Sequence, residues 1–200
     1  MNYFLFFSTL FSLYQSYQNL YRMTNKEKIE SSLAQLELKD YKWINPKEII
    51  VAQWVRVKCI FGCSDYGLGT CPPNTPSVSD CESFFKEYSR GLLISLRKFA
   101  DKDAYPSDWS AAMTGRLLDL EREIFLMGYQ KAFLLNQTCC SLCKECSGNR
   151  FDCKDKKRSR PSPESFAVDV YRTARNAGID ISVVPENPAE MNRIAILLIE

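Results

Sequence analysis

The chain has 200 residues, of which 46% are hydrophobic and 25% charged, and its net charge at pH 7 is +2. This length suits one domain with a core of its own, and the near balance of charge gives no electrostatic case for nucleic-acid binding. The sequence contains nine cysteines and no histidine. The lack of histidine excludes Ser-His-Asp and Cys-His catalytic sites as well as zinc hydrolases with histidine ligands.

The first 22 residues are apolar and aromatic up to about Leu13 and carry no charged side chain before Arg22. The apolar part is too short to span a bilayer, and it lacks the basic start and the small-residue cleavage site of a secretory signal. We expect residues 1–22 to be an extension outside the fold, with a peripheral membrane anchor as the alternative. Residues 23–200 are then a single cysteine-rich domain.

The first half of this domain is expected to alternate between helices and strands. Apolar residues at helical spacing predict a first helix, and a later helix places Cys81 on its apolar stripe. In chain order the predicted elements are a helix over Lys26–Leu38, a β-rich run over Ile49–Val57, a helix over Ser77–Tyr88 and a strand over Gly91–Phe99.

The second half continues the alternation. Gly128 is the expected end of a long helix, and Ser162 followed by Pro163 and Glu164 has the pattern of a helix start. The predicted elements are a helix over Ser107–Met127, a strand over Lys131–Leu135, a helix over Ser162–Ala177, and strands over Ile181–Val184 and Ile194–Ile199. Residues Pro185–Arg193 join the last two strands, and a hairpin is the suggested connection.

This alternation predicts the α/β class, with α+β as the alternative, in one layered domain with a mixed sheet. Two clusters of cysteines follow predicted strands. The upstream group comprises Cys59, Cys63 and Cys71, and the downstream run comprises Cys140, Cys143, Cys146 and Cys153. We therefore expect two cysteine knots at strand ends.

The downstream run has the spacing C-x2-C-x2-C-x6-C. Its first two intervals match a bacterial ferredoxin, and only the last is longer, which favours a 4Fe-4S cluster. Zinc is the alternative metal, although zinc ribbons usually have two separated C-x2-C pairs. Disulfides would leave one of nine cysteines unpaired and are usually spread along a secreted chain, so reduced thiols in the cytosol are the better premise.

The upstream group supplies three thiolates without a clear fourth. Cys81 would complete the set, but a small buried hydrophobic residue is the more ordinary role for a cysteine on an apolar stripe. Without a fourth ligand, one coordination position would be open, as in catalytic metal sites. The C-x2-C register selects Cys140 and leaves Cys139 as a spare thiol or an exchange ligand.

The cysteines also carry a resemblance. Cys59-x3-Cys63-x2-Tyr66-x4-Cys71-Pro72-Pro73, the downstream run and Arg160-Pro161-Ser162 together resemble the predicted metal-binding proteins of domain-of-unknown-function family 2284, over roughly Trp43 to Glu200. The resemblance implies a small cytoplasmic prokaryotic protein whose cysteines bind metal, with iron–sulfur as the expected form. It supplies no reaction.

The function predicted from the sequence is that of an iron–sulfur protein with a redox or electron-transfer role. A basic run over Lys154–Arg160 lies next to Cys153 and could dock an acidic redox partner. The alternative is a zinc-binding structural or interaction module, and a third class is thiol chemistry without metal. No catalytic residue, reaction or oligomeric state is predicted.

Overall fold

A computed structural model describes residues 24–99, 106–183 and 190–200. The chain divides into two compact units, Met1–Glu37 and Leu38–Glu200. In the first, helix α1 spans Asn25–Gln35, close to the predicted helix, and begins with a capping box: the Thr24 side chain accepts from the Glu27 N–H, and the Thr24 N–H donates to the Glu27 carboxylate at 2.6 Å. The proposed extension at residues 1–22 lies outside the described residues.

The second unit is built on a four-stranded antiparallel sheet with the strand order β1-β2-β4-β3. The central strands pair over eight residues and are almost continuously buried, because side chains on both sheet faces are covered. The strands are β1 (Tyr41–Ile44), β2 (Gly91–Lys98), β3 (Phe133–Leu135) and β4 (Met191–Leu198).

Four helices and two short 3-10 turns accompany the sheet. On one face, a core of apolar side chains from β2, β3 and β4 packs with Phe85 of α3, Ala174 of α5 and Phe166 of a 3-10 turn. The helices are α2 (Gln53–Gly62), α3 (Val78–Lys86), α4 (Ser107–Leu126) and α5 (Val170–Asn176), and the turns are Pro46–Glu48 and Glu164–Phe166.

The predicted combination of helices and strands is confirmed. Every described pairing is antiparallel, however, which differs from the mixed sheet that the alternation suggested and corresponds to the α+β alternative. The helix predicted at Ser77 is present and is capped by the Ser77 hydroxyl, and Gly128, with φ +100°, follows the end of α4 as expected. Strands β2, β3 and β4 also lie within one or a few residues of their predicted positions.

The β-rich run over Ile49–Val57 was wrongly interpreted as a strand. Only Val51 pairs, in an isolated bridge to Val168, and helix α2 begins at Gln53. The helix is held by Arg56, which is buried and donates to the Thr75 hydroxyl and to the carbonyls of Pro76 and Ser165. Because these partners are distant in sequence, local β propensity could not reveal the helix.

The single helix predicted over Ser162–Ala177 is in fact a 3-10 turn followed by α5. The Ser162 hydroxyl does accept from the Ser165 N–H, at 3.3 Å, but Ala167 adopts a left-handed φ of 57° that ends the turn. Asp169 then caps α5. Residues 181–183 form no strand, and the joining segment proposed as a hairpin lies largely outside the described residues.

In the parts of the chain that are described, no helix has both the length and the apolar character needed to cross a membrane.

The buried carboxylate of Glu121 on α4 joins three parts of the unit. It accepts from the Leu134 N–H in β3 at 2.8 Å, and both of its oxygens accept from Arg160 Nε, at 2.8 and 2.9 Å. The guanidinium of Arg160 also lies over the ring of Phe133. Glu121 therefore fixes the edge strand and the segment that returns from the downstream run.

We expect Glu121→Ala to lower the free energy of unfolding by about 3 kcal/mol, because it leaves a mostly buried guanidinium and a buried N–H without their acceptor. Urea unfolding of the full chain measures the effect. The matched control is Asp119→Ala, an exposed carboxylate on the same helix, which should change stability by less than about 0.5 kcal/mol. Equal effects of the two substitutions would contradict the role given to Glu121.

Candidate metal centre

The downstream run lies in a loop whose two ends are held together. The Asn136 N–H, directly after β3, donates to the Pro161 carbonyl at 2.7 Å. The buried side chains of Asn136 and Gln137 donate in turn to Thr114 and Ser110 of α4. The loop over residues 136–161 thus leaves and rejoins the fold at one fixed point, after a strand as predicted.

The four cysteines of the downstream run line one small pocket. Its cavity volume is about 20 Å³, and its walls also include Gly69 and Thr70 from the upstream segment, together with Ser159. Burial and the neighbouring thiols raise the pKa of Cys140, which agrees with the closeness of the four side chains. The structure therefore gathers the four residues that the spacing selected.

Two hydrogen-bonding groups face these sulfurs. The Gly69 N–H donates to Cys146 Sγ at 3.5 Å, and the Ser159 hydroxyl lies 3.4 Å from Cys153 Sγ. Such contacts stabilise thiolates and tune metal-bound sulfur. Neither Gly69 nor Ser159 was selected from the sequence, since contacts between distant loops leave no local pattern.

As the side chains stand, no group of three or more cysteine, aspartate or glutamate side chains within residues 24–99, 106–183 and 190–200 is arranged to hold a metal ion. The donor set of the downstream run nevertheless fits a thiophilic metal, because four sulfurs share one pocket with room for roughly one water-sized particle. Binding then requires only that the thiols converge within that pocket.

The upstream group follows a helix rather than a strand. Cys59 lies in α2, Cys63 caps its C-terminus, and Cys71 is buried in the next loop. The pKa of Cys59 is raised by burial first and then by the nearby Cys63, with Cys71 adding to the effect. These three residues are therefore spatial neighbours, although the position at a strand end was wrong for this group.

Cys139 contacts the upstream group. The interaction between its thiol and that of Cys71 is the main cause that lowers the pKa of Cys71 to about 7 and raises the pKa of Cys139. The Ser165 hydroxyl also donates to Cys71 Sγ, at 3.7 Å. In the sequence, only the Cys139-Cys140 doublet indicated a role for Cys139. The C-x2-C spacing selected Cys140 as the ligand instead.

Cys81 lies in the core, as expected for a small buried hydrophobic residue on the apolar stripe of its helix. Its side chain is fully buried, its thiol faces the Pro76 carbonyl at 3.7 Å, and burial raises its pKa to about 11. Cys81 belongs to the cluster of core side chains that includes Phe85 and Tyr88.

Asn74 connects the two cysteine segments. Its amide nitrogen donates to the carbonyls of Gly67, Leu68 and Gly148 at 3.1–3.3 Å, and its side-chain oxygen accepts from the Arg150 N–H at 3.4 Å. Gly69 approaches the Asn149 backbone so closely that an added Cβ would lie 3.4 Å from its carbonyl oxygen. The two cysteine segments therefore pack as one unit.

A broad apolar groove of about 760 Å³ lies beside Cys59 and Cys63. Its wall on α2 includes Trp54 and Phe61, and Phe61 is 84% exposed. In the basic run next to Cys153, Lys154, Lys156, Lys157 and Arg158 are exposed, whereas Arg160 pairs with Glu121.

We expect Asn74→Ala to lower the free energy of unfolding by about 1–3 kcal/mol and to weaken metal retention, since it removes the contacts between the cysteine segments. Urea unfolding and metal analysis check both effects. Asn176→Ala, at an exposed position of α5, is the control and should leave both properties unchanged. Full metal retention in a destabilised Asn74→Ala protein would show that Asn74 does not position the cysteines.

Comparison with known proteins identifies the family of the chain. The profile of a family described as "Predicted metal-binding protein (DUF2284)" matches residues 42–199, which include both cysteine segments. No curated protein and no solved structure matches the chain significantly. Because the match spans most of the sequence, the chain belongs to the predicted metal-binding family DUF2284.

Proposed function

We propose that the protein is a metal-binding protein in which Cys140, Cys143, Cys146 and Cys153 hold a 4Fe-4S cluster with a redox or electron-transfer role. The observation that carries the proposal is the shared pocket of these four thiols. Four cysteines at short, ferredoxin-like intervals are the usual ligand set of such a cluster. The upstream group holds a second metal.

The surroundings of the pocket support an iron–sulfur role. The Gly69 N–H and the Ser159 hydroxyl face two of the sulfurs, and hydrogen bonds to sulfur are among the factors that set cluster potentials. Exposed basic residues next to Cys153 favour the reduced, more negative cluster and suit an acidic redox partner. When bound, the cluster supplies one-electron transfer, and the chain's residues position and insulate it.

A mononuclear zinc site is the second candidate, with a structural or interaction role. It is favoured by the pocket volume of about 20 Å³, which suits one ion better than a multi-atom cluster as the side chains stand. Four thiolates also form the commonest closed zinc site. A 4Fe-4S cluster requires the loop over residues 136–161 to widen around the four thiols.

Metal analysis of the full chain, purified without oxygen, decides between the two. We expect about four irons and four acid-labile sulfides in the downstream run, with a brown colour that dithionite bleaches. Zinc without sulfide would replace the redox role with the zinc alternative. A chain that retains no metal under anaerobic purification or after reconstitution with iron and sulfide, or with Zn²⁺, would contradict both.

Substitution of single ligands tests the assignment of residues. Cys143→Ala and Cys146→Ala should each remove most of the metal of the downstream run, because a three-thiolate remnant binds much more weakly. Cys81→Ala is the matched control: it removes a core thiol and should leave the metal content unchanged. Equal metal loss in all three variants would show that the losses reflect unfolding or a wrong ligand set.

We propose that residues 23–200 form the metal-binding domain, that residues 1–22 lie outside it, and that the protein works in the cytoplasm. Nine free cysteines suit a reducing compartment, and the family resemblance implies the same location.

A further inference from the structure

A cavity of about 230 Å³ lies next to the pocket of the downstream run. The cavity and the pocket share Gly69, Thr70 and Ser159 as lining residues. The proposed function gives this cavity no role. The side chains that decide its chemistry are those of Thr70, Thr75, Phe133, Arg150, Arg160 and Phe166.

Two guanidinium groups line the cavity, and no described lining residue carries a carboxylate. Arg150 donates to two neutral groups, the Ser159 hydroxyl and the Lys156 carbonyl, and it forms no ion pair with a described carboxylate. Arg160, by contrast, is paired with Glu121 through Nε, at 2.8 and 2.9 Å. The charge of Arg150 is therefore not balanced by a neighbour, and the cavity favours an anion.

The hydroxyl of Thr70 points to a bound ligand. Thr70 is only 5% exposed, and its Oγ1 is buried without a hydrogen-bond partner among the described residues. Buried hydroxyls are usually paired with a protein group, a water or a ligand. The nearby hydroxyl of Thr75 accepts from Arg56 at 3.0 Å and can donate its own proton. Two hydroxyl donors and the guanidinium of Arg150 thus line one space.

Aromatic rings form an apolar wall of the same cavity. The ring centroids of Phe133 and Phe166 are 6.1 Å apart, and the guanidinium of Arg160 lies over the Phe133 ring. An inorganic ion would leave this apolar surface uncovered. An acid with an apolar body would instead cover the rings while its carboxylate meets the donors, as in ordinary ligand sites that combine an apolar lining with a few polar groups.

We propose that this cavity binds a small organic acid. Its carboxylate accepts from Arg150 and from the Thr70 hydroxyl, and its apolar part packs against Phe133 and Phe166. The volume is below that of sites for drug-sized ligands, which suits a small monocarboxylate. Because the Ser159 hydroxyl also lies 3.4 Å from Cys153 Sγ, the acid site adjoins the pocket of the four thiols. The inference goes beyond the proposed function and does not depend on which metal the downstream run holds.

Calorimetric titration of the full chain, purified without oxygen, tests the site. Benzoate and isovalerate are the probes, and at least one of them should bind at one equivalent. The corresponding amides should bind at least about 10-fold more weakly, because hydrogen bonds to a charged acceptor are the stronger ones. Equimolar phosphate should not displace the acid. Failure of both acids to bind at millimolar concentration, or their displacement by phosphate, would overturn the proposal.

Thr70→Val removes the hydroxyl and keeps the shape of the side chain. The affinity for the acid should fall by about 10-fold. Urea unfolding of the chain without ligand should show no loss of stability, because the hydroxyl has no partner among the described residues. A loss of stability in the absence of ligand would show that the hydroxyl serves the fold, and it would remove the observation on which the proposal rests.

Arg150→Gln should also weaken the binding of the acid by at least about 10-fold, since it removes the charge that attracts the carboxylate. Arg158→Gln, at an exposed position of the same loop outside the cavity, is the matched control and should leave the affinity unchanged. Equal losses in these two variants would indicate attraction by surface charge alone and would contradict the site. Unchanged affinity in both Thr70→Val and Arg150→Gln would contradict it as well.

Metal analysis of the same samples separates this inference from the proposed function. A chain that binds the acid but retains no metal would contradict the proposed function and leave the acid site intact. A chain that holds its metal but binds neither acid would contradict the acid site alone.

Discussion

The buried carboxylate of Glu121 is the constraint on which the rest of the site depends. One carboxylate serves the N–H of an edge strand and the guanidinium of Arg160, and these two groups flank the loop that carries the downstream run. A buried carboxylate is stable only when its oxygens are fully paired. The hydrogen bonds that stabilise the buried Glu121 carboxylate therefore also fix both ends of the loop over residues 136–161, which has little regular structure of its own.

The two cysteine segments depend on each other. Asn74 and Gly69 from the upstream segment reach the downstream loop through hydrogen bonds and close backbone contact. A loop rich in cysteines has few apolar side chains to bury, so hydrogen bonds between the two segments supply much of its order.

The surroundings of the two cysteine groups differ in character. The upstream group borders a wide apolar groove on α2, whereas the downstream run is enclosed in a small pocket beside exposed lysines. These exposed lysines place positive charge on the surface next to the four thiols of the downstream run.

The sequence by itself determined the family, the closely spaced cysteines of the downstream run, and the helices and strands with clear periodicity, such as α4 and β4, because spacing and amphipathic pattern are local properties. Tertiary structure decided the rest. Helix α2 forms in a segment with high β propensity because Arg56 donates hydrogen bonds to three acceptors that are distant in the chain. The helix predicted from Ser162 is interrupted where Val168 pairs with Val51. Cys71 and Cys139 are 68 residues apart in the chain, and only the packing of their two loops brings the thiols together.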